Sequence, residues 1–171
     1  MMPEKVVKNL FENDENWKRF EDELLSWLGT PYRHLQNAKG RGADCTLFVA
    51  QAMVNSGFLL SVEYDYYPRD WHIHTTEEFV LESLERHIKN NLPEGIGAVD
   101  LTNDDALIRG DLIMYATTKK NVTNHCAIVL DEFDGRCQMT IHSINYRGVS
   151  RFPLGRTWKR KQRGGFRFVE I

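Results

Sequence analysis

Gly42-Ala43-Asp44-Cys45-Thr46-Leu47-Phe48 is the stretch that decides how this chain reads. It closes residues 30–44, a segment with Pro31, Gly40 and Gly42 that reads as a loop. After Cys45 come Leu47, Phe48, Met53 and Val54, with Ala50 and Ala52 between them, a pattern that predicts a buried helix ended by Gly57. The spacing therefore puts a cysteine in the first turn of a helix, with Asp44 as its N-cap. A helix start is one of two devices that lower a thiol from its free pKa of ~8.5; a neighbouring imidazolium is the other. The unpaired N–H groups of such a helix end, that of Cys45 included, suit an oxyanion.

A candidate imidazole lies further along. Asn124-His125-Cys126 opens an apolar run through Leu130, so His125 sits at the rim of a predicted strand, placed to act as base for a cysteine upstream. His142 lies on the next apolar run. If Asp134-Gly135 is a two-residue hairpin loop, Phe133 pairs with Arg136 and Ala127 faces His142. His142 then shares a sheet face with His125, one diagonal step of ~7–8 Å away, and can orient it by a hydrogen bond. Tyr32, in the loop before the cysteine, brings a hydroxyl suited to an oxyanion or substrate contact.

The rest of the chain supplies the scaffold. Residues 15–28 set Trp17, Phe20, Leu24, Trp27 and Leu28 at helical spacing, with Gly29 as a stop. Residues 60–74 read as an aromatic loop, and Thr75 with Glu78 as a capping box opening a helix through about Lys89. Strands are expected at 112–116, 125–131, 137–144, 148–153 and 166–171. Helices first and strands second predict an α+β domain with N-terminal helices packed on a central antiparallel sheet. The 171 residues make one domain, of which 1–28 form an N-terminal extension and packing helix.

Apolar residues make up 42% and charged residues 27%, and no run approaches the ~18 apolar residues of a membrane span, so no membrane partner is expected. The charged N-terminus lacks an apolar signal core, and three cysteines without a Cys-x-x-Cys give no disulfide framework. Both features point to a chain made in the cytoplasm without a signal peptide. Charge is uneven: residues 1–134 hold 13 Lys/Arg against 23 Asp/Glu, while 135–171 hold nine against one. The tract from Arg156 to Arg167 lacks a recognised nucleic-acid module, so nucleic acid is not an expected partner. A metal reading would draw on Asp70, His72 and His74, the His-x-His pair facing one way on a strand. No further ligands follow at a matching spacing, and neither a metal nor a cofactor is expected.

These residues resemble the NlpC-type (NlpC/p-sixty) cell-wall peptidases, which are papain-like cysteine endopeptidases. The family opening Gly-Thr-Pro-Tyr stands here as Gly29-Thr30-Pro31-Tyr32, and its Gly-x-Asp-Cys-Ser-Gly-Phe as Gly42 to Phe48. Its Pro-Gly-Asp-Leu appears as Arg109-Gly110-Asp111-Leu112, its His-x-Gly/Ala-Ile-x-Leu as His125 to Leu130, and its Ile-His-Ala as Ile141-His142-Ser143. Tyr32-Arg33-His34, Lys39 to Gly42, Tyr67-Pro68-x-x-Trp71 and Phe166-Arg167-Phe168 resemble a phage-associated branch encoded among tail genes. Thr46-Leu47 replaces the family's Ser-Gly, and Arg109 its Pro.

The resemblance implies Cys45 as nucleophile, His125 as base, His142 as the orienting residue, and Tyr32 with Asp44 at the oxyanion or substrate. It implies hydrolysis of peptidoglycan peptide stems at a γ-D-glutamyl–diamino acid bond through an acyl-enzyme, in a virion or phage-tail setting with tail proteins as partners. The alternative is a catalytically idle tail or binding component on the same fold.

Overall fold

Asn13 starts the first helix, α1 (Asp14–Ser26), by accepting hydrogen bonds from the N–H groups of Glu15 and Asn16. Trp17, Phe20 and Leu24 form its buried face, and Gly29, at φ +84°, lies just beyond its end. The second helix, α2 (Cys45–Asn55), is apolar nearly all round, and eight of its eleven residues are buried. It can only be a core helix, and it packs between α1 and the sheet. Gly57, at φ +83°, follows it.

The computed structural model describes residues 7–171. Two short helices follow α2, α3 (Trp71–His74) and α4 (Phe79–Leu84), the latter continued by a π-helical turn over Glu85–Lys89. The strands are β1 (Lys8–Asn9), β2 (Asn37–Ala38), β3 (Gly42–Ala43), β4 (Ile96–Leu101), β5 (Leu112–Tyr115), β6 (His125–Asp134), β7 (Cys137–Ile144), β8 (Gly148–Pro153) and β9 (Gln162–Glu170), with helix α5 (Arg156–Lys161) before the last. Among the described residues β2 and β3 pair with each other, and the other seven form one antiparallel sheet. Its order is β1-β9-β5-β6-β7-β8, with β4 also paired to β9. Helices packed on an antiparallel sheet make an α+β domain.

Strand alternation splits the sheet's residues between two clusters. Leu112, Met114, Cys126, Ile128, Leu130 and Ile141 join the main core with α1 and α2. Ile113, Tyr115, Ala127 and Val129 form a second cluster, covered by Leu154 and Trp158. Both faces are therefore buried around β5 and β6.

Several expectations change in detail. The Thr75/Glu78 capping box does not form. Thr75 Oγ1 accepts from Glu77 N–H, while Glu78 Oε2 accepts from Thr123 N–H at 2.9 Å, and the helix begins only at Phe79. The tertiary partner took the carboxylate that the cap required.

The β6–β7 loop is Gly135-Arg136, because Asp134 pairs with Cys137. An irregularity between Val129 and Phe133 then restores the expected register, with Ile128 opposite Ile141 and hence Ala127 opposite His142. β9 starts at Gln162 instead of 166, and α5 and β4 were not anticipated. His72 and His74 lie on the helical turn α3 and not on a strand; their side chains are outside the described residues.

Arg109, where the resembling family has proline, ties the N-terminal segment down. Its guanidinium donates to Phe11 O at 2.8 Å, Glu12 O at 3.1 Å, Asp14 Oδ1 at 2.6 Å and Asp131 Oδ2 at 3.0 Å.

Candidate active site

Cys45 occupies the first position of α2 and is 5% exposed. Asp44 before it is spent on the cap. Its Oδ1 accepts from Leu47 N–H at 2.8 Å and from the Thr46 hydroxyl at 3.1 Å, and its Oδ2 from Leu35 N–H at 2.9 Å. Burial, and then the negative charge of a Cys45 thiolate, push the Asp44 carboxyl up to about 7. Its side chain holds the helix start and the 35–44 loop together and does not line the cleft.

The Gly29–Tyr32 segment is stitched into place from two sides. Gly29 N–H donates to Val149 O at 3.0 Å and Val149 N–H to Thr30 O at 2.9 Å, which binds the segment to β8. Ala43 N–H donates to Pro31 O at 3.0 Å, and Tyr32 bridges Ala43, so the phenol stands beside the start of α2. Burial, followed by the charges of Cys45 and Asp44, holds the Tyr32 hydroxyl above the usual phenol range. It is therefore a proton donor throughout the neutral range.

His125, the first residue of β6, is 9% exposed. Its Nε2 lies 2.6 Å from Nδ1 of His142 on β7, in a direct hydrogen bond between the rings. The other ring nitrogen, Nδ1, is thereby left for Cys45, which lines the same cleft. Burial, then the charge of His125, keeps His142 well below the ordinary histidine range. A neutral His142 shares one proton with His125 across this bond. The structure thus brings Cys45, His125, His142 and Tyr32 into one neighbourhood.

Two further residues complete it. Cys126, next to His125 in sequence, faces the opposite side of the sheet and donates its thiol to the Cys45 carbonyl at 3.4 Å. Cys126, and after it the hydrogen bond and charge of His125, hold the Cys45 thiol well below its ordinary range despite burial. Cys126 is in turn pushed well up, by that same contact and by burial. Trp158 on α5 covers the histidines, its ring centroid 5.8 Å from His125 and 4.9 Å from His142. The only sequence signal for either was a thiol directly after a strand-edge histidine and an aromatic ring within a basic run.

A cleft of about 310 Å³ opens on this cluster, lined by Tyr32, Cys45, Arg69, His125, Trp158 and Lys161 among others. A thiolate-forming cysteine, an imidazole held by a second imidazole and helix-end donors on one cleft are the parts of a nucleophilic acyl-transfer site. Among the described residues no group of three or more His, Cys, Asp or Glu side chains is arranged to hold a metal.

Comparison with known proteins follows the same line. Two solved structures share the fold. One is a protein similar to lipoprotein, of the NLP/P60 family, from Staphylococcus aureus subsp. aureus Mu50, with a TM-score of 0.55 and 18% identity over 97% of this chain. This chain spans 44% of that protein, less than half of its length. The other is the NlpC/p60 domain of the peptidoglycan hydrolase SagA, with a TM-score of 0.50 and 15% identity over 91% of this chain and 98% of that domain. The architecture is thus that of the NlpC/P60 papain-like domains. No curated protein matches the chain in sequence. Residues 14–165, from the start of α1 into β9, match the family Amidase_6, described as "Putative amidase domain". The match takes in every residue of the cleft, and the chain belongs to the Amidase_6 family.

Proposed function

We propose that the chain is a cysteine amidohydrolase that cleaves peptide stems of peptidoglycan, at the amide joining a γ-linked D-glutamate to a diamino acid. One observation carries the reading: Cys45 at a helix start lines one cleft with His125, whose Nε2 is held at 2.6 Å by His142. The hydrolase named among the structural relatives, and the family's amidase description, support the substrate class.

In the proposed reaction the Cys45 thiolate attacks the amide carbon. The oxyanion settles on N–H donors of the α2 start and on the Tyr32 hydroxyl. Imidazolium His125 gives its Nδ1 proton to the leaving amine, so that C–N cleavage leaves an acyl-thioester. His125 then takes a proton from water as the hydroxide adds, and thioester breakdown frees the carboxylic acid and restores the thiolate. His142 holds the ring of His125 so that Nδ1 points at sulfur throughout.

Digestion of purified peptidoglycan, with the new amine and carboxyl ends identified by mass spectrometry, tests this. The unsubstituted chain should release stem fragments, and Cys45→Ala should release none while keeping its circular-dichroism spectrum. Equal release by Cys45→Ala would overturn the assignment.

A further inference from the structure

We propose that Arg69 and Lys161 select the substrate, taking two carboxylates that flank the scissile amide. The idea rests on the reading of the cleft as a peptide-stem hydrolase site and adds what that site recognises.

The charge of the cleft lining comes first. Arg69 and Lys161 are its Arg and Lys side chains, and no Asp or Glu lines it. Some cations elsewhere are matched to carboxylates, Arg109 to Asp14 and Asp131, Arg167 to Asp111, Arg86 to Asp65 and Lys39 to Glu23, and others, such as Arg19 and Arg147, lie over aromatic rings. Arg69 and Lys161 have no carboxylate partner among the described residues. Each is held by neutral groups instead. Arg69 donates to Asn145 Oδ1 and lies over the Tyr32 ring, 5.5 Å from its centroid. Lys161 Nζ lies 5.4 Å from the centroid of Trp158. Ring and amide contacts fix a cation's position without neutralising it.

The two stand on different walls. Arg69 belongs with Tyr32 and the start of α2, the Cys45 side. Lys161 ends α5, where its carbonyl accepts from Ala116 N–H at 2.8 Å, and it belongs with Trp158 on the His125 side. The scissile carbon must lie between Cys45 sulfur and His125, so the acyl and amine portions of a bound peptide run out past both walls. Arg69 keeps guanidinium N–H groups free for a bidentate carboxylate, and Lys161 offers an ammonium point charge. The fitting ligand is a peptide with a free carboxylate on each side of its scissile amide. A γ-linked glutamyl residue with a free α-carboxylate, joined to a diamino dicarboxylic acid, meets that description. Amidation of the first, or lysine in place of the second, removes one charge.

Binding separates this proposal from turnover. Cys45→Ala protein is titrated calorimetrically with three synthetic stem peptides: the diaminopimelate peptide with a free D-glutamate α-carboxylate, its α-carboxamide, and the lysine analogue. The doubly anionic peptide should bind roughly tenfold tighter than either of the others, the loss expected for one charge-assisted contact. Arg69→Gln and Lys161→Gln, added to the same background, should each weaken it by a similar factor. Each should also erase discrimination at one of the two positions and keep it at the other.

Equal affinity for all three peptides, no binding of any, or unchanged discrimination in both variants would overturn the proposal. The peptide comparison in unsubstituted side chains does not depend on how any further variant folds. Discrimination in binding, without cleavage by the native chain, would sink the hydrolase reading alone. Cleavage indifferent to the carboxamide and to lysine would sink the two-cation reading alone.

Discussion

Cys126 donates its thiol to the backbone carbonyl of Cys45 at 3.4 Å, across the interface of β6 and α2. His125 flanks the same cysteine in the cleft, so one dipeptide of β6 supplies two neighbours of Cys45. Removing one buried donor costs ~0.5–1.5 kcal/mol. Cys126→Ala is therefore expected to lower kcat/KM roughly three- to tenfold, and to raise the pH at which Cys45 becomes reactive. Cys126→Ser, which keeps a donor at that position, should recover most of the loss. Steady-state rates on stem peptides together with alkylation kinetics check this.

The pH profile of Cys45 itself is a second expectation. Its thiol is held below the ordinary range by Cys126 and His125, so the thiolate is already present below the free-thiol value of ~8.5. The iodoacetamide rate should reach its plateau at a pH below that value. In His125→Ala one hydrogen bond and one positive charge are lost, and the midpoint should move up. A native profile that rises only above ~8.5 would mean that the sulfur is not activated by its surroundings.

The placement of Cys45, His125 and His142 was legible in the sequence because it follows from local rules: a cap, an apolar helix, an alternating strand and a parity count. The register shows how far such rules reach. Gly135-Arg136 displaced Asp134-Gly135 as the loop, yet an irregularity in β6 restored Ala127 opposite His142. Turn chemistry alone could not foresee a bulge whose cause lies in packing. Trp158, Arg69 and Lys161 were illegible for another reason. They come from α5 and the segment before α3, whose own sequences carry no clear helical or strand period, and only the tertiary fold brings them to the cleft. Glu78 shows the reverse failure, a good local cap signal overridden by Thr123 N–H.

His142 should also govern acid sensitivity. Its folded pKa lies below the free histidine value, so below about pH 6.5 the unfolded chain binds a proton that the folded chain refuses. This stability is fully present above that pH and is lost as pH falls toward the folded value. Asp44, raised to about 7, contributes with the opposite sign between its free value and neutrality, so the whole-protein curve is a sum. The difference between native protein and His142→Gln isolates the histidine. Urea midpoints at pH 7 and pH 5 should show the native chain losing more on acidification than the variant does.

Asp111 and Arg167 make a bidentate pair between the start of β5 and β9, at 2.9 and 2.7 Å. Asp111 is 1% exposed, and burial raises its carboxyl above the usual range even with Arg167 attached. Desolvation thus outweighs attraction, and the pair contributes little net stability, although breaking it leaves a buried charge alone. Arg167→Met should cost about 3 kcal/mol. The double variant Asp111→Leu with Arg167→Met should recover part of that loss. Equal destabilisation of both variants in urea titrations would contradict this account.

Gly148 links fold stability to the cleft. Its φ is +70°, and a Cβ there would lie 2.1 Å from the Thr30 carbonyl oxygen. That carbonyl accepts from Val149 N–H, one of the two bonds that hold the Gly29–Tyr32 segment on β8. Gly148→Ala must therefore strain the turn, push the segment away, or do both. Strain at a positive φ alone exceeds ~1 kcal/mol for an alanine. If Tyr32 donates to the oxyanion, displacing its segment should lower kcat more than it raises KM, because the lost contact is made in the transition state. Tyr32→Phe, which removes the hydroxyl and leaves the backbone unchanged, should reproduce the kcat loss without the loss of stability. A Gly148→Ala protein that is destabilised yet turns over at the native rate would separate Tyr32 from the chemistry and leave it a packing residue.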